Sequence, residues 1–143
     1  MEKNYNITTE VWSATSYKEL RRDALEIERI NMLNPTNKPK KSYLESKLED
    51  ESGVFVAVSD NIKAVPDQIA RWIPGGLFSL GTDGYGRSDT REATRRFFEI
   101  DAEIIVIAVL SQLVKRGEIK KEVVVEAIND LKIDSKKANP LTS

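Results

Sequence analysis

Cysteine and histidine are both absent from the 143 residues. Without thiols there can be no disulfide and no thiolate metal site. Without imidazole the commonest general base, the Ser-His and Cys-His dyads and every histidine-ligated metal are excluded. Much ordinary hydrolase chemistry falls away on these two grounds. Positive charge is not in excess either: 22 Lys and Arg stand against 23 Asp and Glu, a net charge of −1. A surface that binds nucleic acid or anionic membrane needs a clear surplus of Lys and Arg, so neither partner is expected. Long apolar runs are missing as well. The longest, Ile104 to Leu110, falls far short of the roughly 20 residues of a membrane span. Met1 to Asn6 is polar and carries no apolar signal core. These features together predict a soluble cytoplasmic protein.

With 40% apolar and 31% charged residues, the composition is that of an ordinary globular domain. It suffices for one core and not for two. Residues 1–10 read as a polar lead, 11–140 as the domain and 141–143 as a tail. No internal repeat or low-complexity tract interrupts it.

Val11, Trp12 and Thr15 suit a pleated surface, and the spacing predicts a short strand over Glu10 to Thr15. Ser16 with Glu19 forms a capping-box pattern. The helix it opens carries a stripe of Leu20, Ala24, Ile27 and Ile30 and ends at Asn34-Pro35. Tyr43 to Leu48 reads as a short helical turn. Val54 to Val58 is an apolar strand of the doubly buried kind. Pro66 suits the first position of a helix that buries Ile69, Trp72 and Ile73, and Pro74-Gly75-Gly76 stops it. Leu77 to Leu80 is a third strand. Ser88 or Asp89 can cap a helix to about Phe98, and Asp101 a helix through Lys115 that closes on Arg116-Gly117. Lys121 to Leu131 is a last amphipathic helix with Val124, Ile128 and Leu131 on one stripe. The polar residues after Asp134 are expected to fray. This alternation predicts an α/β, three-layer fold with a mainly parallel sheet and flanking helices.

The most unusual stretch is Gly81 to Ser88, GTDGYGRS, between a strand and a helix. Ligands in open α/β sheets collect at such places. Asp83, Tyr85, Arg87, Ser88 and Arg91 are the candidates for a structural or anion-holding loop, and Arg87, Arg91 and Arg95 could share a helix face. The blander alternative is a tight connector, with the arginines paired to Glu92, Glu99 and Asp101. The G-x-x-G-x-G spacing is not the dinucleotide fingerprint G-x-G-x-x-G. Trp12 and Tyr17 could stack on a ligand, although such aromatics more often fill a core or an interface. Ile104 to Leu110 is read as buried helix.

The blocks V-W-S-A-T-S-Y-K-E-L-R-R-D-A-L-E-I-E-R-I-N-M-L-N-P (Val11 to Pro35), L-G-T-D-G-Y-G-R-S-D-T-R-E (Leu80 to Glu92) and F-F-E-I-D-A-E (Phe97 to Glu103) are distinctive. So are L-V-K-R-G-E-I (Leu113 to Ile119), Ile133-Asp134 and Asn139-Pro140. In this order they resemble the C-terminal domain of the homodimeric pyruvate dehydrogenase (acetyl-transferring) decarboxylating subunit, a thiamine-diphosphate-dependent, transketolase-like family. The resemblance implies a three-domain parent that decarboxylates pyruvate and passes the acetyl unit to a lipoyl group on the acetyltransferase subunit. It also implies that thiamine diphosphate and Mg²⁺ are held by the other two domains. Catalytic, cofactor-binding and metal residues are accordingly expected to be none in this chain. The expected partners are the remaining domains of the same enzyme, a second subunit of the homodimer and, through the parent, the acetyltransferase.

Departures from the family's pattern accompany the resemblance. A strand and helix that ordinarily precede the Val11 strand are not found, which predicts an unpaired sheet edge and either association through it or poor stability. Asn34, Arg96 and Phe97 stand where histidine is frequent, and Tyr85 where phenylalanine is common. The G-D-G…N cofactor motif is not met: Thr82-Asp83-Gly84 starts on threonine, and the next asparagine is Asn129. The leading expectation is an architectural domain without catalysis of its own. The alternatives are a small-anion or regulatory-protein module built on residues 81–96, and a non-functional fragment of a split gene.

Overall fold

A computed structural model describes residues 1–142. Its elements are α1 (Glu2–Tyr5), α2 (Tyr17–Leu33), α3 (Tyr43–Leu48), β1 (Phe55–Val58) and α4 (Ala64–Asp67). A 3-10 turn (Ala70–Trp72) follows, then β2 (Leu77–Leu80), α5 (Arg91–Phe97), α6 (Ala102–Lys115) and α7 (Lys121–Asp130). The strands pair in parallel, Phe55 opposite Leu77 through Val58 opposite Leu80. Alternate side chains of a strand leave opposite faces, and here both faces are covered. Phe55 and Leu77 pack into a cluster of Ala24, Leu44, Leu48, Ile69, Trp72 and Ile73. Val56, Phe78 and Leu80 pack with Phe98, Ile100 and Ala108 on the other side. The expected three layers are thus present: α2, α3 and the turn around Trp72, the parallel sheet, then α5 and α6. Helix α7 packs on α6, where Leu110 and Ala127 are both 0% exposed.

Helix starts are set by side-chain oxygens that accept the first free N–H groups. The Ser16 hydroxyl accepts from the Glu19 N–H at 3.3 Å, and Asp101 Oδ1 from Ile104 at 3.0 Å. The capping box expected at Ser16 is only half made, because the Glu19 carboxylate turns to Arg22 instead. A complete box sits at Ser42 and Glu45. The cap of α5 is Thr90 rather than Ser88 or Asp89.

Three further expectations are corrected. Glu10 to Thr15 is not a strand. A strand exists only as one side of a ladder, and the described residues offer this stretch no neighbour, leaving Val11 94% and Trp12 52% exposed. Each strand of the two-stranded sheet therefore has one unpaired edge among the described residues. The helix expected from Pro66 begins two residues earlier and breaks at Gln68 into the 3-10 turn. Pro66 is tolerated at its third position because first-turn N–H groups lie outside the helical ladder. Finally, the residues after Asp134 are tied down, as described below.

Candidate functional site

Because β1 and β2 run parallel, the loops that follow them emerge side by side. Gly81 is where they touch. A Cβ at Gly81 would lie 2.5 Å from the Asn61 carbonyl oxygen and 2.9 Å from the Lys63 nitrogen, so only glycine lets the two backbones approach this closely. The approach is held by hydrogen bonds in both directions. Thr82 N–H donates to the Asn61 carbonyl at 3.0 Å, and the Thr82 hydroxyl to the Asp60 carbonyl at 2.8 Å. Lys63 N–H donates to Asp83 Oδ1 at 2.9 Å, while the Lys63 ammonium lies 3.7 Å from Asp83 Oδ2.

The five candidate residues are not gathered around a common point. Asp83 is half-buried and turned toward Lys63. Tyr85 is 88% exposed. Arg87 folds back so that its guanidinium stacks over the Phe97 ring, 3.8 Å from the centroid. Ser88 and Arg91 are exposed. The arginine face is corrected: α5 starts only at Arg91, so Arg87 lies in the loop and cannot share a helix face with Arg91 and Arg95. Arg95 lies 3.9 Å from Asp60 and Arg96 3.7 Å from Asp101. Of the expected ion-pair partners only Asp101 is engaged by an arginine; Glu99 faces Lys137 instead.

Thiamine diphosphate and Mg²⁺ do not fit these residues. Mg²⁺ takes carboxylate and phosphate oxygens in a near-octahedral shell. Asp83 spends one oxygen on a backbone N–H, and no three acidic side chains converge among the described residues. Of the two early aromatics, Tyr17 packs beside the first core cluster, and burial raises its phenol above the ordinary value. Trp12 is exposed.

A groove elsewhere on the domain was not anticipated from sequence. It measures about 420 Å³ and is lined by Arg21, Leu25, Ala64, Asp67, Gln68, Arg71 and Trp72. Trp72 Nε1 donates to Glu28 Oε1 at 2.9 Å, and Arg71 pairs with the same carboxylate while stacking 4.4 Å over the indole. Nothing in local spacing joins Glu28 to residues more than forty positions away, so only the tertiary fold reveals this arrangement.

Residues 1–101 match the family model described as the transketolase-like C-terminal domain. The chain belongs to that family. The pyruvate dehydrogenase E1 component of Pseudomonas aeruginosa is 45% identical over 142 residues, 99% of this chain and 16% of that protein. The component of the same name from Escherichia coli K12 is 43% identical over 98% of the chain and 16% of its own length. That from Mycobacterium tuberculosis is 44% identical over 95% and 15% respectively. The resemblance read from the sequence blocks is thereby borne out, and the chain spans 15 to 16% of the length of these curated relatives. No described helix is long and apolar enough to cross a membrane.

Proposed function

We propose that this transketolase-like C-terminal domain is an architectural part of a cytoplasmic pyruvate dehydrogenase decarboxylating subunit. Residues 11–140 form the domain, with 1–10 as a lead and 141–143 as a tail. The parent reaction is oxidative decarboxylation of pyruvate with transfer of the acetyl unit to a lipoyl group on the acetyltransferase subunit. Thiamine diphosphate supplies the carbanion chemistry of that reaction, and with Mg²⁺ it is held by other domains of the parent. This domain braces those domains and extends the homodimer interface.

The observation that carries the reading is the use of Asp83. The one carboxylate in the glycine loop is committed to bonding β1's loop to β2's loop, so the most ligand-like feature of the sequence serves to fix the backbone. The unpaired sheet edges and the exposed Val11–Trp12 stretch supply surface for companion segments, since open edges readily recruit another strand. The alternative of a small-anion or regulatory-protein module on residues 81–96 is less favoured, because of its two supports, the glycine loop and the three-arginine face, the face is not formed.

A chimera tests the proposal. The corresponding residues of the Pseudomonas aeruginosa enzyme are replaced by this chain, and a second version lacks them. The reading expects the chimera to assemble and decarboxylate pyruvate, the truncated enzyme to lose assembly and activity, and this chain alone to be inactive. Full activity of the truncated enzyme would show that the domain has no bracing role.

A further inference from the structure

Helices α5, α6 and α7 each end on a left-handed residue just past the cap. At α6 and α7 the residue just past the cap has a positive φ (Gly117 at 76°, Lys132 at 53°). The following N–H then reaches back to the last turn: Glu118 to the Leu113 carbonyl and Ile133 to the Ile128 carbonyl, both at 3.0 Å. A second backbone bond completes each end, Gly117 to Val114 and Lys132 to Asn129. Helix α5 has the first bond, Ile100 to Arg95 at 3.0 Å, with Glu99 in the left-handed position at φ 61°. Its remaining carbonyls are met differently. The Lys137 ammonium donates to the Arg96 carbonyl at 2.7 Å and the Phe97 carbonyl at 2.8 Å. It also lies 3.5 Å from Glu99 Oε1. A cation at the negative end of a helix, bonded to its free carbonyls, is held by charge as well as geometry.

The same C-terminal segment touches the glycine loop. Gly84 has φ +102°, and a Cβ there would lie 2.8 Å from the Pro140 carbonyl oxygen and 3.5 Å from Leu141 Cα. Phe97 joins the two contacts: its ring carries the Arg87 guanidinium from the loop at 3.8 Å and the Lys137 ammonium from the tail at 5.6 Å.

We infer that Asp134 to Thr142 is a releasable strap across the carboxyl ends of the strands, with Lys137 as its latch. When latched, the strap pins the Gly81–Ser88 loop against α5. Loss of the Lys137 charge frees tail and loop together and uncovers Gly84 at the end of the sheet where ligands and partners of α/β domains gather. The inference rests on these contacts alone and does not depend on the parent reaction.

Site-resolved trypsin digestion of the whole chain tests it, since cleavage of a folded protein reports local opening. Lys137→Met keeps an apolar contact with Phe97 and removes the ammonium; Lys137→Arg keeps the charge. Cleavage after Arg87 is expected to be about tenfold faster in Lys137→Met, a size suited to partly exposed charge-assisted bonds. Cleavage after Arg21 in α2 is expected to be unchanged, and Lys137→Arg to recover most of the protection. An unchanged rate at Arg87 overturns the strap. An equal rise at Arg21 also overturns it, because Lys137 would then stabilise the fold generally. Lys137→Arg as susceptible as Lys137→Met overturns the charge latch.

Discussion

Gly81→Ala is the sharpest test of how the two strand-end loops are joined. Its added methyl carbon would meet the Asn61 oxygen at 2.5 Å, the Lys63 nitrogen at 2.9 Å and the Ile62 carbonyl carbon at 3.2 Å. All three are backbone atoms, so no side chain can swing aside. The loops must separate by several tenths of an ångström, an overpacking that costs about 1–3 kcal/mol. Separation also stretches Thr82 N–H to Asn61 and Lys63 N–H to Asp83, a neutral bond worth about 1 kcal/mol and a charge-assisted one worth somewhat more. Partial relaxation shares these losses, and about 3 kcal/mol is the expected total. Against a typical stability of about 5–15 kcal/mol this is a large fraction. Urea denaturation should show a lower midpoint with an unchanged slope. Gly86→Ala is the control: it lies in the same loop, has nothing within 4 Å of its added carbon and no positive φ, so it should change stability by less than about 0.5 kcal/mol. Equal effects of the two substitutions would refute the close-approach argument.

Leu110→Ala should cost about 2–5 kcal/mol in the same denaturation assay, because the Leu110 side chain on α6 is wholly buried; a cost under about 1 kcal/mol would contradict that burial. Glu28→Ala leaves the half-buried Trp72 N–H without its acceptor, and a loss of about 1–3 kcal/mol is expected. Indole fluorescence should shift with it, Trp12 serving as an already exposed background; an unmoved spectrum and stability would count against the Glu28–Trp72 bond. The Glu45 carboxyl is held below its ordinary value first by the Ser42 hydroxyl and then by the Ser42 backbone N–H, with a smaller contribution from Lys41. A depressed carboxylate adds stability that is present above its unfolded value and is lost as pH falls through the folded one. Ser42→Ala should therefore lower neutral-pH stability by about 1 kcal/mol through the lost cap and flatten the decline on acidification below the ordinary carboxylate range. An acid limb as steep as in the parent chain would refute the assignment.

Local chemistry accounts for what could be read from sequence. The helices capped by Ser16 and Asp101, the Asn34-Pro35 stop and the strands at 54–58 and 77–80 are each specified by residues within a few positions of one another, and they appear as expected. Most of the misreadings concern pairings between distant segments. Val11 and Trp12 have strand-forming side chains, but whether they form a strand depends on a neighbour that propensity cannot supply. Glu19 chose Arg22 over the cap, a competition between two equally local partners. The polar composition after Asp134 gave no hint that Lys137 would find two free carbonyls some forty residues away. At the glycine loop, spacing alone left a ligand cradle and a tight connector both open. The backbone contacts at Gly81 and the turn of Asp83 toward Lys63 are tertiary facts, and they favour the connector.

The proposed architectural role requires that thiamine diphosphate be held outside this domain. Isothermal titration of the purified chain with thiamine diphosphate in the presence of Mg²⁺ tests this most directly. No heat of binding is expected up to millimolar cofactor. Saturable one-to-one binding, abolished by Asp83→Asn, would contradict it.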